Sequence, residues 1–242
     1  MARTSTPSPQ RPAISLRETN KNKRREDIIS AAERLIYRTQ STDFSMHDLA
    51  DEAGVSMKTT YNLIGSKSKV LYVLLSGALE KIDGHPMSRP KPGEVMSVID
   101  MAEVPIGLFT GLPGFYRPLL RYLLGTPNST ERPEFMARAY EFWHRGLVDF
   151  AEDYGGRFRT SAMALHLHTY FAGALDLWVQ DEIDAEEFRR HLRCAVAMAL
   201  LPFVEEPQVP VLQAHIDLFQ TTAISYEVLV ARYAAGGPVE LS

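Results

Sequence analysis

The sequence predicts an all-α protein, and three observations carry that prediction. Apolar side chains in every long segment recur at intervals of three and four residues, and no segment alternates at intervals of two. Glycine and proline turns separate the segments, such as Gly111-Leu112-Pro113-Gly114, Thr126-Pro127-Asn128 and Gly155-Gly156. Hydrophobic residues make up 45% of the 242, enough to bury a large core in one domain or two. A break containing Pro86, Pro90, Pro92 and Gly93 divides the chain. The expected organisation is a flexible basic arm over residues 1–23, a compact helical unit over 24–84, and a larger helical unit over 85–242.

The first helix is expected from Arg24 to Gln40, with Ile28, Ala31, Ala32, Leu35 and Ile36 on one stripe. Ser45 and Asp48 form a capping box, and Met46, Leu49, Ala50 and Ala53 then make the apolar face of a short second helix. Gly54 closes that helix by taking the left-handed conformation, and Ser56 caps the next one about two residues later. In this third helix Thr60, Leu63 and Ile64 face inward, which turns Lys58, Tyr61 and Asn62 outward. Ser66 caps a fourth helix over 67–83 that carries Val70, Leu71, Leu74, Leu75 and Leu79. Beyond the break, helices are expected at roughly 94–109, 114–125, 131–154, 157–182, 184–204 and 209–235.

Two short helices joined by a glycine turn cross steeply and push the second helix outward, the layout of a helix-turn-helix whose second helix enters the DNA major groove. A lysine, a phenol and an amide in adjacent exposed turns form a hydrogen-bonding set suited to phosphates and base edges. The isolated spacing also fits ordinary solvated polar residues on an antiparallel helix pair. The wider pattern is more specific. The Ala31-Ala32-x-x-Leu35-Ile36 stripe, the run from Ser45 to Ser56, the pair Thr59 and Tyr61, and the Gly65-Ser66-Lys67-x-x-Val70-Leu71 ending resemble the tetracycline-repressor (TetR) family of bacterial transcriptional regulators. The resemblance covers residues 24–84 and implies a three-helix helix-turn-helix DNA-binding domain, a linking fourth helix, and a larger helical ligand-binding and dimerisation domain. Candidate DNA-binding residues are Ser45, Met46, Ser56, Met57, Lys58, Thr59, Tyr61, Asn62 and Lys67. Lys58 and Asn62 are placed for bases, and the resemblance assigns Tyr61 to the DNA backbone. Lys67, on the first turn of the fourth helix, is placed for a phosphate.

The chain departs from the family pattern twice. Family members usually have a glycine and an aromatic after the first helix, where this chain has Thr39 and Gln40, and often a phenylalanine where it has Ile64. Phe44 is then expected to supply the missing apolar anchor.

The net charge of −4 is split unevenly along the chain. Residues 1–83 hold 13 basic and 10 acidic residues, net +3, and residues 84–242 hold 13 and 20, net −7. Arg3, Arg11, Arg17, Lys21, Lys23, Arg24 and Arg25 face only Glu18 before residue 26. Such a basic arm ahead of a helix-turn-helix would lie along phosphates or enter the minor groove, or else serve as a charged, solubilising tail.

The resemblance also implies a homodimer, with the helices near 157–182 and 184–204 forming a four-helix bundle across a two-fold axis. Ala162, Leu165, Thr169, Ala172, Leu175 and Leu177, then Phe188, Leu192, Ala195, Val196, Ala199 and Leu200, fit either that bundle or an internal core. A dimer presents two recognition helices to a palindromic double-stranded DNA operator. The family usually buries a small-molecule effector among its middle helices, and it mostly represses. Candidate ligand-binding residues are Phe109, Phe115, Tyr116, Tyr122, Tyr140, Trp143, His144, His166 and Tyr170, with Phe142 and Phe171 beside them, although a helical core uses aromatics for packing too. Their apolar character points to an apolar or aromatic effector.

The competing class is a helical metal or haem protein, or an enzyme, using the central histidines. His166 and His168 are two apart and so point about 200° from each other on a helix, which prevents a shared metal. No nucleophile motif or phosphate loop accompanies them, so neither catalysis nor a cofactor is expected. The single thiol, Cys194, lies among Ala195, Val196 and Ala197 and reads as packing. No apolar run reaches membrane-spanning length and no secretory signal appears near Met1, which together imply no membrane and a cytoplasmic location.

Overall fold

The computed structural model describes residues 16–126, 130–153, 157–223 and 225–235. Among the described residues the regular structure is helical, with no strand. The helices are α1 (Leu16–Thr39), α2 (Met46–Glu52), α3 (Met57–Leu63), α4 (Lys67–Asp83), α5 (Val95–Gly111), α6 (Pro113–Gly125), α7 (Arg132–Asp153), α8 (Thr160–Val179), α9 (Ala185–Leu200), α10 (Gln208–Thr222) and α11 (Tyr226–Ala235). The turns expected at Pro127-Asn128 and Gly155-Gly156 lie outside the described residues.

Helices α2 and α3 fold where their caps and apolar stripes place them, as does α1 from residue 24 on. Ile28, Ala31, Ala32, Leu35 and Ile36 are buried, and Leu49 and Ala50 of α2 pack beneath them. Two guanidiniums of α1 lock α2 in place: Arg34 reaches Glu52 at 2.9 Å and Arg38 reaches it at 3.0 Å. Both hold the Glu52 carboxyl below its usual range. Phe44 is buried, as expected of a substitute anchor. At the exit from α1, Gln40 takes a positive φ of 49° where the family pattern has glycine nearby.

Two expectations are corrected here. Helix α1 starts at Leu16, so residues 16–23 are helical and the arm of 1–23 cannot be flexible throughout; residues 1–15 lie outside the description. The extension has no apolar stripe to announce it, yet Glu18 lies in the first turn, where a carboxylate suits the helix dipole. The helix expected over 209–235 is two helices. Thr221 and Thr222 turn their hydroxyls back onto the Asp217 and Leu218 carbonyls, and Ala223 becomes extended at φ −61°, ψ 140°. Ser225 then caps α11 through the Val228 N–H at 3.4 Å.

In the second unit, α9 is the central element, packed against α5, α8 and α10. Asp184 and Glu187 form its capping box. Helix α4 runs along α7 and is tied to it at two heights, and to Glu131 just before the first residue of α7. Ser68 donates to Glu131 at 3.0 Å, Arg138 reaches Glu80 at 3.7 Å, and Arg145 reaches Asp83 at 2.7 Å.

Helices α5 and α7 approach closely at Gly146. A Cβ at Gly146 would lie 2.0 Å from Met101 Sδ, and Met101 is fully buried. Gly146→Ala should lower stability by about 1–3 kcal/mol in a denaturant melt, because the thioether must leave its packed position. An unchanged midpoint would mean that Met101 repacks freely.

Burial lowers the pKa of His168 and His191 below the imidazole value of 6.5. Unfolding lets both return to that value, so the unfolded chain binds more protons just below it. The contribution of these two groups to stability is therefore present above pH 6.5 and is lost as pH drops through the region below. Melting at pH 7.5 and pH 5.5 should show this loss, reduced in a His168→Gln/His191→Gln variant relative to its own pH 7.5 value. A loss of equal size in that variant would assign it to other groups.

Candidate nucleic-acid interface

Helix α2 is held by its own first turn. The Ser45 hydroxyl accepts the Asp48 N–H at 3.1 Å, and the Asp48 carboxylate accepts the Ser45 N–H at 2.8 Å. The Ser45 N–H and the Ser45 hydroxyl, which also donates to this carboxylate at 2.8 Å, keep the Asp48 carboxyl below its usual range. Gly54, at φ 65°, makes the turn into α3, a backbone conformation that other residues adopt at a cost. Ser56 caps α3 through the Thr59 N–H at 3.2 Å and meets the Thr59 hydroxyl at 2.9 Å.

These constraints fix which way α3 faces. Thr60 and Ile64 are buried and Leu63 half-buried, so Met57, Lys58, Tyr61 and Asn62 stand exposed on the opposite side. Tyr61 is 49% exposed. Ser45 and Ser56 sit exposed at the N-termini of α2 and α3 with their hydroxyls engaged in caps, and Thr59 is half-buried. Met46 is corrected: its side chain is 9% exposed and belongs to the core. Its position on the apolar face of α2 aims the thioether inward. Lys67 is half-buried, its ammonium 5.1 Å from the centre of the Phe44 ring.

The residues that sequence reasoning misplaced are those of the α1 extension. Arg17, Lys21 and Arg24 fall at i, i+4 and i+7, in helical register with Ile28, so they continue the inward stripe of α1 beyond the end of the core. There they meet α3: Arg17, Asn20, Lys21 and Arg24 share a groove with Thr59, Asn62 and Leu63. The register with Ile28 was the signal available in the sequence. A helical basic ridge thus flanks the polar face of α3, a charge arrangement suited to a polyanion.

The aromatic residues considered for a ligand divide into separate clusters. Phe109, Phe115 and Tyr116 pack together with Tyr37, whose ring stacks on Phe115 at 4.6 Å. Tyr122 meets Tyr72, and Trp143 sits between Phe142 and Phe171. Tyr140 donates to the Ser161 carbonyl at 3.1 Å and lies beside His144 and His168. The Tyr170 hydroxyl bonds His191 at 3.2 Å. His166 is exposed on α8 and does not join the others, because it falls on the face away from α7 and α9. No group of three or more His, Cys, Asp or Glu side chains placed to hold a metal occurs among the described residues. No single described helix is long and apolar enough to cross a membrane.

No protein-family model matches the chain, and no curated protein sequence matches it. Solved structures do. SmeT, the repressor of the Stenotrophomonas maltophilia multidrug efflux pump SmeDEF, is 21% identical with a TM-score of 0.55, over 76% of this chain and 91% of SmeT. A putative TetR-family transcriptional regulator from Mesorhizobium loti is 18% identical with a TM-score of 0.53, over 76% of this chain and 98% of its own. A TetR-family transcriptional regulator from Streptomyces coelicolor is 14% identical with a TM-score of 0.53, over 88% and 97%. The chain has the all-α fold of the TetR-family transcriptional regulators.

Proposed function

We propose that this protein is a ligand-responsive transcriptional regulator that binds a palindromic double-stranded DNA operator as a homodimer. The observation that carries the reading is the outward face of α3, Lys58, Tyr61 and Asn62, alongside the basic ridge of α1. Lys58 and Asn62 read base edges, Tyr61 bonds the DNA backbone, and Arg17, Lys21 and Arg24 supply phosphate contacts. Lys67 offers its charge to a phosphate at the start of α4. Residues 16–84 form the DNA-binding part, and the helices from α5 onward the effector and dimerisation part.

The dimer would use the outer face of α8. Ala162, Leu165, His166, Thr169 and Gly173 are exposed along one stripe, with Leu165 at 56%, and Met198 of α9 is exposed at 60%. Leu175, Phe188, Leu192, Ala195, Val196 and Leu200 are buried within the chain, so only part of the apolar surface of these helices is free for a partner. Repression released by an apolar or aromatic effector is the regulatory mode we favour, with the contacts of α4 to α7 and to Glu131 passing a change in the second part to the spacing of the recognition helices. A metal, haem or catalytic role for the histidines has less support, since His166 is exposed while His168 turns toward Tyr140. Sedimentation together with gel shifts on DNA selected from random sequence tests the proposal. A dimer that retards an inverted repeat is expected, and a monomer with no selected DNA at low salt would reject it.

A further inference from the structure

The first turn of α3 leaves two side chains to project from it. The Ser56 hydroxyl accepts the Thr59 N–H at 3.2 Å and meets the Thr59 hydroxyl at 2.9 Å, so the two hydroxyls are engaged with each other. Thr60 is buried. What projects is Met57 and Lys58, both exposed. Residues four apart share a row along a helix, and neighbouring rows lie about 100° apart. Met57 and Tyr61 form one row and Lys58 and Asn62 the next; Thr59 and Leu63 form a third, which together with Asn62 meets Arg17, Lys21 and Arg24 of α1. The outward face is therefore graded across its width. It is basic beside α1, polar along its middle, and apolar along the edge away from the basic ridge. That edge is made by the Tyr61 ring, 49% exposed, and the Met57 thioether, 42% exposed. Met57 is thus the aliphatic side chain of α3 that the core does not take, since Leu63 is half-buried and packs against the core.

We infer that Met57 is a specificity-determining residue whose thioether covers the 5-methyl group of one thymine in each half of the operator. The inference rests on the reading of α3 as the helix that enters the major groove, and adds to it what this side chain selects. Base edges in that groove offer hydrogen-bond donors and acceptors and one kind of apolar group, the methyl at C5 of thymine. A thioether laid over a donor or an acceptor takes water from it and returns no comparable bond, which weakens the complex. Laid over a methyl group, it removes water from two apolar surfaces at once, which strengthens it. A phosphate is no better a partner, because Met57 carries no donor. In a helix-turn-helix the first residues of the second helix are those that contact base edges, and Met57 is the first residue of α3. Its unbranched, polarizable side chain also adapts to the surface it covers. The row order places the thymine on the side of the half-site away from the phosphates held by α1.

The test compares thymine with 2′-deoxyuridine, which lacks only the methyl group, in the operator that the full chain selects from unmethylated random DNA, so that thymine is the only source of the group. Each thymine is replaced in turn, in both half-sites together, and binding is read by fluorescence anisotropy. At one thymine position the wild type should lose about fourfold per half-site, the value of one buried methyl group, or roughly fifteenfold in all. Met57→Ala should bind the thymine and uracil forms of that position equally. Met57→Leu, which keeps an apolar side chain, should retain most of the discrimination. Both variants alter an exposed side chain, so their circular dichroism should match that of the wild type. A selected half-site without thymine, uracil tolerated by the wild type at every position, or unchanged discrimination in Met57→Ala would overturn the inference and leave DNA binding by α3 standing. If no DNA is selected at all, the regulator reading fails and takes this inference with it, so the two failures are distinguishable.

Discussion

The triple variant Arg17→Ala/Lys21→Ala/Arg24→Ala is expected to bind every DNA sequence more weakly and to lose much of its salt dependence. The three side chains project from the end of α1 that lies beyond the apolar core, so removing them leaves the fold intact. Each phosphate contact contributes about 0.9 to the slope of log affinity against log salt. Three contacts in each half of a dimer would therefore reduce the slope by roughly five, a change on the order of a thousandfold in affinity between low and physiological salt. The ranking of DNA sequences should survive, because phosphates carry no sequence information. Salt titrations by fluorescence anisotropy check this, and a slope equal to that of the wild type would remove α1 from the interface.

Leu165→Glu should convert a dimer into a monomer. The side chain is 56% exposed in the single chain, so the carboxylate costs the monomer little, whereas two such charges facing each other across a two-fold axis would repel. Gly173 on the same stripe meets nothing within 4 Å at its Cβ position, which leaves the backbone of α8 open to close approach by a second copy. Losing the second recognition helix should weaken binding to a palindrome by about a hundred- to ten-thousandfold, while binding to a half-site stays as it was. Sedimentation equilibrium and gel shifts together read both effects. A Leu165→Glu protein that remains dimeric would move the interface elsewhere.

The helices were legible because their apolar stripes are strong, and α4 falls at 67–83 as the spacing predicts. The α1 extension was not, since Arg17 to Arg25 contain no apolar residue to mark a face; its register with Ile28 and the lack of proline between Pro12 and Pro86 were the weaker signs. The break at Ala223 has neither glycine nor proline, and depends on where two threonine hydroxyls turn. On α3, the exposure of Lys58, Tyr61 and Asn62 follows from the inward positions of Thr60 and Ile64, so periodicity alone located this outward face. Met46 shows the limit of a motif match, because the position that aligns with the family pattern is also the one that packs the core. The aromatics behaved differently again. Spacing says which residues share a helix face, but Phe115 meets Tyr37 and Tyr72 meets Phe135 only through tertiary packing, and so these pairings were invisible in the sequence.

Binding-site selection from random DNA, performed in parallel on the wild type and on Lys58→Ala, Asn62→Ala and Tyr61→Phe, tests most directly whether α3 reads the major groove. The wild type should yield an inverted repeat with half-sites about one helical turn, or a multiple of it, apart. Lys58→Ala and Asn62→Ala should each relax preference at particular positions, by about 1–3 kcal/mol for a good base contact, because only sequences that offered the contact lose it. Tyr61→Phe removes one hydroxyl from an exposed ring and should lower affinity evenly, leaving the order of preferred sequences unchanged. If the Lys58 and Asn62 variants keep the wild-type sequence preference at every position, α3 is not the element that reads the DNA.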